Sequence, residues 1–177
     1  MSMTLIQTQT LGSDNSTIQL TSIPQTFTDL LVLLSPRSSQ ASSSGETVNM
    51  TCNSDGIGSG LYTSRFVWRN LSSQFRSSFT SVATMQASAP AASATANSFG
   101  NISIYLPDYS GSNVKLGSVE SVGGNNASAT ALTCTVLRYN STAAISSITF
   151  TLSNGNFVTN SSVSIYGITK GSGGATV

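Results

Sequence analysis

Apolar and polar residues alternate at a spacing of two along almost the whole chain, and the 3.6-residue recurrence of a helix face is nearly absent. Residues 4–11 read as a first strand, ended by Gly12-Ser13-Asp14-Asn15. Ile18 and Leu20 alternate with Thr17, Gln19 and Thr21 until Pro24 stops the run. The continuous apolar stretch 29–35 predicts a strand buried on both faces. A serine-rich loop follows at 38–45, with no side chain suited to anchor it.

Residues 46–53 alternate again, with Val48, Met50 and Cys52 on one face, and Asp55 to Gly60 makes a turn. The stretch 61–79 is rich in aromatics and arginine. The small-residue stretch 88–96 around Pro90 reads as a loop with little core content. Further strands are expected at 99–106, at 114–122 with ambiguous facing, and at 129–139. Residues 145–152 and 157–168 form a closing pair around Ser153-Asn154-Gly155-Asn156. This predicts about ten short strands, an all-β sandwich or barrel. The closing pair reads as a hairpin that completes a sheet, since Phe150, Leu152, Phe157, Val163, Ile165 and Ile168 would otherwise stay wet.

Composition narrows the function classes. At 177 residues the chain fits one domain, and only 7% of it is charged. Ser, Thr and Asn make up roughly two-fifths, so the polar surface is built from hydroxyls and amides. Seven Lys+Arg against six Asp+Glu give a net charge of +1, which supplies no basic stripe for nucleic acid. Such a surface repels its own copies weakly and suits a protein docked on partners. The start lacks the pattern of a signal peptide, and the longest apolar run is too short to span a membrane. Cytosolic synthesis is therefore expected, with Cys52 and Cys134 as small buried hydrophobes rather than a disulfide. Seven Asn-x-Ser/Thr sequons follow from the composition alone.

The absence of histidine removes the usual general base and most zinc sites. No catalytic, metal or cofactor residue is assigned. Asp14, Asp29, Asp55, Asp108, Glu46 and Glu120 fall mostly at turns and strand ends, where carboxylates serve the backbone. The informative segment is Tyr62-Thr63-Ser64-Arg65-Phe66-Val67-Trp68-Arg69, continuing to Arg76. As a strand it sets Ser64, Phe66 and Trp68 against Arg65, Val67 and Arg69. Arg65, Trp68, Arg69 and Arg76, with Lys170 at the end of the last strand, are the candidate protein-interface residues. The alternative sets Phe66 and Trp68 in the core and leaves Arg65 and Arg69 as a solvated face.

Three stretches carry a resemblance: "LTSIPQTFTDLLVLLSPRSS", "ANSFGNISIYLPDYSGSNVKLGSVESVGGNNASA" and "ISSITFTLSNGNFVTNSSVSIYGITKG". The chain resembles small Ser/Thr-rich structural proteins of tailed bacteriophages, many from marine and freshwater hosts, cyanophages included. The matching residues are Leu20 to Leu30, Pro107 to Tyr109, Gly155 to Val158 and Ser164 to Ile168. The resemblance implies a single antiparallel β-sandwich, jelly-roll-like; by the residues it covers 1–168 and is followed by a flexible Gly/Ser-rich tail at 169–177. It implies a non-enzymatic virion protein on the outer capsid surface, made in the host cytoplasm. Its partners would be the major capsid protein, as a decoration or cement protein, and its own copies, a trimer before a dimer. The alternative is a tail or fibre component that binds a host receptor or glycan, with Tyr62, Trp68 or Tyr109 as an aromatic platform.

Overall fold

A computed structural model describes residues 2–41, 45–69, 73–124 and 130–170. It is all-β, with twelve strands in two antiparallel sheets and no helix among the described residues. The strands are β1 (Ser2–Thr10), β2 (Thr17–Leu20), β3 (Asp29–Ser35), β4 (Gly45–Cys52), β5 (Tyr62–Arg69) and β6 (Gln74–Thr80). They continue as β7 (Thr84–Pro90), β8 (Asn101–Pro107), β9 (Lys115–Gly124), β10 (Thr130–Tyr139), β11 (Ile148–Leu152) and β12 (Ser162–Thr169). The large sheet runs β1-β12-β3-β8-β9-β10-β5-β6, and the small one β2-β11-β4-β7.

Strand order makes this a jelly roll with two insertions. β1 pairs with β12, β2 with β11, β3 with β8 and β4 with β7, as in a long hairpin rolled into a sandwich. The hairpin β5–β6 is inserted between β4 and β7, and β9–β10 between β8 and β11. The inserted strands pair through β10 and β5 and extend the large sheet past β8. Ile18, Leu20, Val48, Met50, Ile148 and Phe150 of the small sheet pack on Leu30, Val32, Ile102, Ile104, Val163 and Ile165 of the large one.

Several sequence expectations are corrected. β11 and β12 are not a hairpin: they lie in different sheets, as a roll requires. Between them Phe157 is fully buried at a corner and exchanges backbone hydrogen bonds with Asn15, while Val158 donates to Arg37 O at 3.0 Å. Ser38 anchors the loop read as unanchored: it is buried, its N–H donates to Pro90 O at 2.8 Å, and its hydroxyl donates to Asn154 O at 3.2 Å. Part of the stretch read as a loop is the end of β7, and Ala89, Ala91 and Ala94 there are core, because alanine suits a site where the sheets approach closely. β3 is buried on one face only, leaving Leu33 exposed.

The three motif stretches meet at one end of the roll. Thr28 N–H donates to Ile168 O at 2.9 Å, and Phe27 lies so close over Gly167 that a Cβ there would sit 2.3 Å from the ring. The Tyr109 hydroxyl donates to Pro24 O. At the centre is Asp29, 1% exposed, which accepts from the Tyr105 hydroxyl at 2.6 Å and from Asp108 N–H at 3.1 Å. Lys170 pairs with it at 3.1 Å. Burial alone would raise the Asp29 pKa, but the bonds from Tyr105, Asp108 and Lys170 outweigh it and hold the carboxyl below its ordinary value. The motifs are thus a clamp that closes the roll.

Because the folded-state pKa is lowered, the ionised carboxylate adds stability that is complete above the unfolded value of about 3.9 and is lost as pH falls through the folded value. Asp29→Asn should therefore cost about 1–3 kcal/mol at pH 7. Denaturant titrations should show the gap to wild type closing below about pH 4.

Candidate interaction surface

β7 dictates what the inserted strands can carry. It ends the small sheet with an unpaired edge, and that edge is tucked into the inner face of β5, β10 and β9. The Ser64 hydroxyl donates to Thr84 O at 2.7 Å and the Thr135 hydroxyl to Met85 O at 2.6 Å. Ser88 N–H donates to the Ser121 hydroxyl at 3.4 Å. The approach is close enough that a Cβ on Gly123 would lie 2.9 Å from Ser88 Oγ. Many inward positions of the insertion near β7 are accordingly small or hydroxyl-bearing, namely Ser64, Ser121, Gly123, Thr133 and Thr135, with Phe66 and Val119 buried alongside them.

Val119 of β9 and Leu137 and Tyr139 of β10 still point inward and are buried, but the other large apolar residues of these strands point the other way. Leu116, Val122, Leu132 and Val136 are all exposed on the outer face, Val136 at 60%, together with Val67 of β5. The usual inside-outside polarity of a strand is inverted locally, where outward Leu132, Val136 and Val122 alternate with inward Thr133, Thr135 and Ser121. Contiguous exposed apolar area on a folded chain marks an interaction site.

The register sets arginines around this apolar strip. Arg76 lies opposite Val67, Arg65 between Ser78 and Val136, and Arg69 between Gln74 and Leu132. Arg138 lies between Thr63 and Leu116. Four of the five arginines of the chain thus share one face, with Glu120 the carboxylate on these strands. None of the four forms an ion pair among the described residues; Arg138 donates to Asn140 Oδ1 at 2.9 Å. Arg65, Val67, Ser118, Glu120, Cys134 and Val136 border a shallow depression of about 360 Å³ at the centre of the face.

Of the residues singled out in the sequence, the fold brings Arg65, Arg69 and Arg76 together. Trp68 is half-buried on the opposite face, beside Phe75. Lys170 is far from them, with β3, β8, β9 and β10 intervening, and is engaged by Asp29. The tail 171–177 lies outside the described residues. Tyr62 and Tyr109 are fully buried and form no surface platform. Tyr62 stacks on Tyr139 at 5.1 Å, and burial raises the hydroxyl pKa of both. Sequence reading missed Arg138 and the outward Leu/Val set. Its signal was there, in β10, where Thr133 and Thr135 alternate with Leu132 and Val136 and could have been taken as inward.

The cysteines are corrected in part. Both are free thiols; Cys52 is buried, whereas Cys134 is exposed in the outer-face depression. Burial pushes the Cys52 thiol up to about 12, which keeps it protonated and inert. No group of three or more His, Cys, Asp or Glu placed to hold a metal occurs among the described residues. No helix there is long and apolar enough to cross a membrane. Compared with known proteins, the chain matches no family model, no curated protein and no solved structure.

A thiol reagent such as DTNB should therefore titrate one cysteine per native chain, at Cys134, and both after unfolding. Mapping the label by mass spectrometry checks which one reacts.

Proposed function

We propose that this chain is a non-enzymatic virion structural protein that decorates the outer surface of a tailed-phage head and cements the major capsid protein lattice. The resemblance of the motif stretches suggests the setting. The observation that carries the mechanism is the inverted face, where Leu116, Val122, Leu132, Val136 and Val67 stand exposed among Arg65, Arg69, Arg76 and Arg138. A jelly roll by itself hosts many functions and decides nothing here.

The docking chemistry follows from the composition of that face. The apolar strip supplies desolvation, and arginine forks meet carboxylates or backbone carbonyls of the capsid surface. The four-strand outer face offers a continuous surface to a lattice partner, with roughly 800 Å² per partner needed for a stable contact. Repetition over the lattice multiplies weak single contacts into durable coverage. Other polar residues of the chain are mostly uncharged, so binding should depend on salt only through these few arginines.

Two measurements test the reading. Quantitative mass spectrometry of purified virions should give on the order of hundreds of copies, in a simple ratio to the major capsid protein. A few to a few tens of copies would instead place the chain on the tail, with receptor binding as its job. Arg65→Ala combined with Arg69→Ala should weaken rebinding to stripped heads by roughly tenfold or more, and unchanged occupancy would remove this face from the contact.

A further inference from the structure

The four sheet edges of the molecule are not alike. β2 is only four residues long. β1 carries a register shift between Leu5 and Gln7, and such bulges twist an edge away from pairing. β7 is covered by the hydroxyls of Ser64, Ser121 and Thr135. β6 has none of these protections. Its seven residues pair with β5 in unbroken register, it holds no proline or lysine, and six of the seven are exposed. From this edge we propose that the chain forms a two-fold dimer by antiparallel pairing of β6 with β6 of a second copy.

The hydrogen-bonding phase of β6 fixes which groups are free. Ser81 N–H donates to Tyr62 O at 2.8 Å, so Phe79, Ser77 and Phe75 make the hydrogen-bonded pairs with Ser64, Phe66 and Trp68. The backbone groups of Gln74, Arg76, Ser78 and Thr80 therefore point away from the sheet.

Side-chain chemistry then selects one register. A two-fold axis at Ser77 matches all seven residues, Gln74 against Thr80 and Arg76 against Ser78. It uses every free backbone group and places no cation opposite another. An axis at Arg76 would set the two guanidinium groups against each other. An axis at Ser78 would leave Gln74 and Phe75 without partners.

The Ser77 axis also solves a burial problem on the inner face. The small sheet ends at β7 and does not cover β6, so Phe75 is left 55% exposed. Phe66 already stacks on Phe79 at 5.4 Å and meets Phe75 at 6.1 Å. In the dimer Phe75 faces Phe79 of the second copy in a non-hydrogen-bonded pair, the spacing at which cross-strand side chains are closest. The low net charge of +1 opposes association weakly. A two-fold axis normal to the sheet keeps the arginine faces of both copies on the same side. The proposal stands on the edge alone and does not depend on the capsid reading.

Analytical ultracentrifugation of the full chain tests it. Wild type should sediment as a species of twice the 18.2 kDa chain mass at high concentration and dissociate on dilution. Ser78→Lys, which places a lysine opposite Arg76 of the second copy, should raise the dimer Kd at least tenfold while circular dichroism stays native. Adding Arg76→Glu should restore the dimer, because the introduced lysine of each copy then meets the introduced carboxylate of the other across the axis. A wild type that stays monomeric at every concentration, a trimer, or a dimer indifferent to Ser78→Lys would overturn the proposal, as would failure of the double variant to recover.

Discussion

The close seating of β7 against the inserted strands is the constraint on which the rest of the surface depends. A sheet edge buried against another sheet leaves backbone N–H and C=O groups that must find partners. Here hydroxyls supply them, Ser64 and Thr135 as donors to Thr84 and Met85, Ser121 as acceptor from Ser88. Those inward positions are then closed to large side chains, and Gly123 marks where even a methyl would collide. Next to those positions the alternation puts Leu132, Val136 and Val122 on the other face. The exposed apolar strip is thus the counterpart of an edge satisfied inside.

The same extension separates two kinds of surface. The outer face of β9, β10, β5 and β6 combines aliphatic side chains with arginine, and the inner side of β6 overhangs the small sheet with aromatic rings. At the far end of the large sheet the Asp29 clamp ties the first, middle and last motifs together. Parts of all three resemblance stretches therefore hold the roll closed, and β5, β6 and β7 come from the chain between the first and second of them. The arginines of the candidate contact surface come from outside the motif stretches, while Leu116 and Val122 of β9 come from within one.

Strands with simple alternation could be read directly. β3, β4, β8 and β10 fall within a residue or two of their expected positions, because one face of each meets the core and the period of two survives in the residues. What could not be read was partnership. Nothing local in Ser153-Asn154-Gly155-Asn156 distinguishes a hairpin turn from a crossover between sheets; that is decided by Phe157, which finds its backbone partner at Asn15. β7 was hidden because its buried residues are alanines, whose apolar signal is weak. On β10 the outward facing of Leu132 and Val136 was not legible, since it depends on Thr133 and Thr135 taking the inner positions between them, where Thr135 serves β7. The arginine cluster was legible because three arginines lie within 65–76, while Arg138 joins them only through the β5–β10 pairing.

Under the proposed role the outer face is covered by the capsid, and Cys134 lies in the depression at the centre of that face. The most direct measurement is the alkylation rate of Cys134 in intact virions against the free protein, read by mass spectrometry of the same peptide. Rapid labelling in solution and strong protection on the particle are the predicted result. Equal labelling in both states would mean that this face points to solvent and that the chain docks by another surface.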